Sequence, residues 1–202
     1  MESTSQSIFE DETFGETLTI TQDESMFRSQ LISNVKYKVT LLLTKKSSFF
    51  GRSSACFILD REIPATQNLF IDFRGQKLFE YKINDILIQK NDQTPTKIFN
   101  LHKILVPRDL LQPNKINTLE FVFESSYRED GVGLQSFGGE GLDGAEEMFV
   151  FTQLAATFSH YVFPNFDQPD LKAQWGLTVV CPSEWEVVSN ERSVREEKVS
   201  QI

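Results

Sequence analysis

The chain has 202 residues, 40% hydrophobic and 24% charged, which is enough to bury one sizeable core. Its 20 Lys and Arg stand against 29 Asp and Glu, a formal net charge of -9, and this balance repels phosphate backbones and anionic lipid surfaces, so no nucleic-acid partner is expected. The longest unbroken apolar run is Ala55–Leu59, far short of the roughly 20 residues that cross a bilayer, so no membrane insertion is expected.

Residues 1–33 read as an acidic, mobile tail. Within residues 1–30, Glu2, Glu10, Asp11, Glu12, Glu16, Asp23 and Glu24 face Arg28 alone, and no hydrophobic period is sustained. Phe9, Phe14, Leu18, Ile20 and Phe27 also allow an extended segment anchored on a partner. The opening stretch lacks the basic start and apolar core of a secretory signal, and it is acidic where a mitochondrial presequence is Arg-rich, so a cytoplasmic protein is expected.

From residue 34 to residue 190 the pattern is that of strands. Val35, Tyr37, Val39 and Leu41 alternate with Lys36, Lys38 and Thr40, placing one set on a core face and the other in water. The same period recurs at Leu69, Ile71 and Phe73, at Leu119, Phe121 and Phe123, and at Ala173, Trp175, Leu177 and Val179. Less regular apolar runs at Ala55–Leu59, Tyr81–Ile88, Ile104–Val106, Met148–Phe151 and Trp185–Val188 add further strand candidates. Turn signals separate them at Lys45–Gly51, Pro64, Gly75, Asn91–Pro95, Pro113-Asn114, Gly138–Gly144 and Pro182-Ser183. No apolar stripe of period 3.6 persists for a long helix. The expected fold is all-β, an antiparallel β-sandwich, followed by a charged C-terminal tail at residues 191–202.

Catalytic patterns are sparse. Gly138–Gly144 carries two acids and opens no helix, so it reads as a polar loop and not as a phosphate cradle. No H-E-x-x-H is present, no Ser lies in G-x-S-x-G, and two Cys with two widely spaced His make neither a disulfide framework nor a zinc site. Cys56 and Cys181 read as buried thiols, and no metal or cofactor is expected.

The most specific segment is Phe151–Asn190. Thr152-Gln153, Phe163-Pro164, Phe166-Asp167-Gln168-Pro169-Asp170-Leu171-Lys172-Ala173, Pro182, Trp185, Val187 and Ser189-Asn190 fall in the order and spacing of a known pattern. The segment resembles the N-terminal β-sandwich domain of zinc aminopeptidases of the aminopeptidase N type. Upstream, Tyr127, Gly131, Gly133, Leu134 and Phe137, and the Phe50-Gly51 turn, are similar to the same family, so the likeness spans about residues 34–190.

The resemblance implies several things. In the family the zinc helix and the G-A-M-E-N motif lie in a following catalytic domain, and neither motif occurs here, so the chain is expected not to be an enzyme. Gln153 matches a position that lines the first substrate pocket, and it also has a plain reading as a holder of the loop backbone. The family's amine-binding Glu is replaced by Ala155, its Asp and Arg by Phe158 and Tyr161, and its Cys by Asn165. Replacing a carboxylate that pairs with an ammonium removes a charge-assisted hydrogen bond. Leu154, Phe158 and Tyr161 then become candidates for an apolar partner surface. Asp167, Pro169 and Lys172 correspond to a structural corner of the sandwich, where proline fixes φ and the carboxylate caps amides. His160 reads as a satisfied, half-buried histidine. The family sandwich closes with further strands beyond its S-N, which this sequence is expected to lack, leaving a sheet edge to be covered by charge or by a partner. The leading expectation is a noncatalytic interaction or scaffold subunit of a larger protein assembly. A piece of a split metallo-aminopeptidase and a peptide-binding module with a remnant pocket remain open beside it.

Overall fold

The computed structural model describes residues 20–90, 98–99, 102–141, 144 and 146–198. Among the described residues, ten strands, one short α-helix and two 3-10 turns build an all-β domain. In chain order these are α1 (Gln22–Ser29), β1 (Ile32–Leu42), β2 (Ser48–Leu59), β3 (Leu69–Asp72), β4 (Lys77–Ile83), β5 (Ile86–Lys90), β6 (Lys103–Val106), β7 (Ile116–Ser126), β8 (Gly133–Glu140), β9 (Glu146–Gln153) and β10 (Ala173–Val180). The 3-10 turns are Arg108–Leu110 and Ser159–Tyr161.

The main sheet has the order β10-β1-β2-β7-β4-β5. Alternation decides its central strands: β1, β2 and β7 bury every second side chain, and Tyr37, Phe49, Phe57, Phe121 and Phe123 enter one core. Neighbouring strands run antiparallel except β10, which lies parallel to β1, with Val35 opposite Ala173 and Leu42 opposite Val180. Two smaller pairs, β3–β6 and β8–β9, stand apart from that sheet. Leu69, Ile71, Ile104 and Val106 carry β3–β6 into the same core, and Met148 and Val150 pack β9 against it. The sheets do not close into a barrel.

Gly51 shows how tightly the main sheet is packed. A Cβ there would lie 2.1 Å from Cζ of Phe123, so the ring fills the space that any larger residue requires.

The strand expectations hold at β1, β3, β6, β7, β9 and β10 and in the second half of β2, whereas Ser48–Gly51, expected as part of a turn, opens β2. Further places need revision. Tyr81–Ile88 is not one run but the hairpin β4–β5. Asn84 and Asp85 take φ of 49° and 67°, the positive pair required by a two-residue loop that matches sheet twist. Trp185–Val188 forms no strand, although Trp185 packs against the core. Strand β8 extends through Gly138 and Gly139 to Glu140, into the segment expected to be a loop. Trp175 and Leu177 on β10 are 53% and 48% exposed, because β10 is an edge strand.

The expected mobile tail at residues 1–33 is the largest correction; residues 1–19 lie outside the described structure. Residues 20–33 are folded: Thr21 accepts from the Glu24 amide at 3.2 Å while Glu24 Oε2 accepts from the Thr21 amide at 2.8 Å, a reciprocal cap that starts α1. Arg28 on that helix is 0% exposed. Its Nη1 reaches Asp72 Oδ2 at 2.6 Å, its Nε donates to Gln168 Oε1 at 3.0 Å, and its guanidinium lies 4.7 Å from the Phe70 ring centre. Lys103 pairs with Glu24 at 2.6 Å over the same ring. These contacts explain why β3 is buried on both faces: Leu69 and Ile71 meet the core while Phe70 and Asp72 meet α1.

Candidate functional site

The segment after β9 gathers the residues singled out from the sequence. Gln153 is the last residue of β9, opposite Gly133 on β8, and it is exposed. Leu154 is half-buried against the core, and Ala155 and Ala156, joined by a cis peptide bond, are exposed. The amide of Phe158 donates to the Leu154 carbonyl at 3.1 Å, turning the chain back toward the domain. Phe158 is half-buried.

Tyr161 departs from the expected surface role. It is only 9% exposed. Arg74 Nη1 donates to its hydroxyl at 2.7 Å, and the Arg128 guanidinium lies 4.1 Å from the centre of its ring. The His160 ring sits 4.5 Å away. Cation–π contact on an aromatic face and a hydrogen bond at its tip hold the ring inward. Of the three partner-surface candidates, Leu154 and Phe158 therefore remain accessible in part and Tyr161 does not.

Asp167 organises the corner that follows. Its Oδ2 accepts from the His160 amide at 3.0 Å and lies 2.6 Å from His160 Nδ1, while its Oδ1 accepts from the Ser159 hydroxyl at 2.7 Å. Burial pushes the carboxyl upward, but the hydrogen bonds from His160 and Ser159 outweigh it and hold Asp167 below the usual carboxylate range. Ser, His and Asp meet here without forming a nucleophile–base pair. The serine hydroxyl is bound by the carboxylate, so no imidazole nitrogen is placed to take its proton. His160 is satisfied by Asp167.

The rest of the corner is braced from β3 and β1. Asp72 and Asn165 exchange backbone hydrogen bonds at 2.9 and 3.0 Å, and the Asn165 side chain donates to the Phe163 carbonyl at 2.7 Å. The Phe166 amide donates to the Tyr37 hydroxyl at 2.9 Å. Pro169 and Lys172 are exposed on the far side of the turn.

Beside this corner lies a cleft of about 300 Å³ that the sequence did not reveal. Arg74 and Gln76 enter it from the β3–β4 connection, His102 from the start of β6, Ser126 from the end of β7, and Arg128 and Tyr161 from the loops beyond. No carboxylate lines it. Its cations come from positions far apart in the chain, so no local basic run could announce them. Among the described residues, no three His, Cys, Asp or Glu side chains come together in a way that could hold a metal ion.

Comparison with known proteins places this geometry. The family model of the Peptidase M1 N-terminal domain matches residues 33–201. Aminopeptidase N of Streptomyces lividans is 28% identical over 171 residues, covering 85% of this chain and 19% of that protein. Aminopeptidase N of Bos taurus is 24% identical over 109 residues, 54% of this chain and 11% of the relative. Human aminopeptidase Q is 29% identical over 92 residues, 44% of this chain and 9% of the relative. The chain thus spans about a fifth or less of the curated relatives it matches.

Proposed function

Because this chain belongs to the Peptidase M1 N-terminal domain family, we propose that it acts as a noncatalytic interaction domain, a scaffold-type β-domain that docks onto a larger protein body. The observation that carries this reading is the outer face of the β8–β9 hairpin. Phe137, Phe149 and Phe151 are 51%, 38% and 50% exposed. Phe137 stacks on Phe149 at 5.1 Å and meets Phe151 edge-on at 6.0 Å, so the three rings form one patch. The opposite face of the hairpin already serves the core through Leu134, Met148 and Val150. Contiguous exposed aromatics of this kind mark contact surfaces and supply the residues that most often anchor them.

Native affinity purification with the wild-type chain and a Phe137→Ser/Phe151→Ser variant tests the reading. A partner recovered at fixed stoichiometry with the wild type and lost with the variant supports it. Equal recovery with both, or a wild-type chain that stays alone, refutes it.

A second reading is favoured by Gln153, which is exposed at the end of β9. On this reading the chain is the substrate-side piece of a split metallo-aminopeptidase, or a peptide-binding module that keeps a remnant pocket. Ala155 weighs against it, since a methyl group offers no charge to a peptide ammonium. Recovery of a zinc-protease chain in the same purification would favour the split enzyme. Saturable binding of a short peptide, lost in Gln153→Ala, would favour the module.

A further inference from the structure

We propose that the cleft between Arg74, His102, Arg128 and Tyr161 binds a small tetrahedral oxyanion, a phosphoryl group either free or carried as an ester. This goes beyond the contact-surface reading and does not depend on it.

The first argument is charge. The chain carries a net charge of -9, yet the cleft is lined by two guanidiniums and an imidazole with no carboxylate among them. Of the neighbouring acids, Asp130 does not line the cleft but pairs with Arg128 and offsets part of its charge, which leaves Arg74 as the principal cation, and Asp167 is committed to His160 and Ser159. Arg74 has no carboxylate within ion-pair distance among the described residues and uses one N–H on the Tyr161 hydroxyl. Four of its five donors remain, in a planar fork that suits phosphate oxygens.

The second argument is preorganisation. The Arg74 amide donates to the His160 carbonyl at 2.8 Å, and the Arg128 amide donates to the Leu134 carbonyl at 2.9 Å. Arg128 Nε is fixed by Asp130 Oδ1 at 2.9 Å, and its guanidinium is stacked on Tyr161. The cations are therefore held in place before any ligand arrives, which lowers the ordering cost of binding. The phenol hydroxyl of Tyr161 accepts from Arg74 and keeps its own hydrogen to donate, and the Ser126 hydroxyl adds a neutral donor at the rim. A volume near 300 Å³ is at the small end of ligand pockets and suits a compact anion or a short phosphate ester.

His102 makes the site sensitive to pH. Burial and the positive charges of Arg74, His160 and Lys103 hold its pKa below the ordinary histidine value. An anion between these groups offsets the repulsion, so binding draws a proton onto His102 and strengthens as pH falls.

Chemical-shift mapping of the chain decides the matter, with sodium phosphate and O-phosphoserine titrated against sodium chloride of equal ionic strength. Saturable shifts confined to residues 74–76, 102 and 125–128 are expected, and Arg74→Gln should weaken binding about tenfold through loss of a charge-assisted contact. Equal affinity for the two probes identifies a free ion as the ligand type, and tighter O-phosphoserine binding identifies an ester. Sulfate, which does not titrate in this range, should bind more tightly at about pH 5.5 than at about pH 7.5 in the wild type but not in His102→Gln. Shifts scattered over surface lysines, no saturation, or unchanged affinity in a folded Arg74→Gln would overturn the proposal. Should that variant not fold, the wild-type map and its pH dependence still decide.

Discussion

Replacing Arg28 by Ala probes the contact that ties the N-terminal helix to the domain. The guanidinium is fully buried, pairs with Asp72 at 2.6 Å, donates to Gln168 at 3.0 Å and lies over Phe70. Removing one member of a buried ion pair costs about 3–5 kcal/mol, because the other charge is left desolvated. Here Asp72 keeps one donor, the Asp167 amide at 3.2 Å, and Arg28 Nη2 has no hydrogen-bond partner among the described residues. Both facts place the expected loss near the lower end, about 3 kcal/mol. For a chain of this size that is a fall of about 6–12 °C in Tm. Urea unfolding followed by tryptophan fluorescence and calorimetry should agree on it, and deleting residues 1–30, which removes α1, should cost at least as much. A double-mutant cycle with Asp72→Asn isolates the pairwise part, expected at about 1–3 kcal/mol. A change in Tm under about 2 °C for Arg28→Ala, with no coupling to Asp72, would show that the helix is an ornament on the fold and that the clamp contributes nothing.

Asp167 should shape the acid limb of stability. Its folded pKa is lower than its unfolded value, so its contribution is present above about pH 4 and is lost as pH falls through the folded value; in Asp167→Asn the decline of Tm on acidification should be shallower. Tyr161→Ala should destabilise by about 3 kcal/mol or more in urea unfolding, since it empties a buried ring site and strands Arg74, whereas Phe158→Ala should cost about 1 kcal/mol. Gly51→Ala should lower Tm sharply in a thermal scan, because its methyl would overlap the Phe123 ring. The purified chain should carry no stoichiometric zinc by elemental analysis and release no amino acid from aminoacyl-amides; chelator-sensitive hydrolysis that copurifies with it would contradict this.

How far these features could be read from the sequence depends on what buries each residue. Strands β1 and β7 are legible because one face meets the core and the other meets water, which imposes the two-residue period, whereas β2 was read only from its apolar half at Ala55–Leu59. Strand β3 shows that period at Leu69 and Ile71, continued by Phe73 just beyond it, but its second face is not solvated as alternation implies, since α1 covers Phe70 and Asp72. Helix α1 announces its start through Thr21 and Glu24, a spacing present in the sequence, but an eight-residue helix is too short to persist alone. What stabilises it is Asp72 and Gln168, remote in the chain. Strand β8 was obscured by its glycines, which usually signal turns. At the site, the Phe166–Ala173 pattern drew attention to Asp167 by resemblance, but its contacts with Ser159 and His160 could not be read from the pattern. The inward turn of Tyr161 was not legible, because Arg74 and Arg128 set its direction and neither is its sequence neighbour.

The parallel pairing of β10 with β1 has a temporal consequence. Most of the described chain, including strands β2 to β9, lies between Val35 and its partner Ala173. Contacts that close so long a loop form slowly, after local hairpins such as β4–β5 and β8–β9 have had time to assemble. During synthesis from the N-terminus, β1 pairs with β2 early while its other edge waits for β10 to emerge. Until then, the open edge offers Val35 to Leu42 to any strand that reaches it first, so the interval before β10 docks is when the nascent chain is most exposed to mispairing.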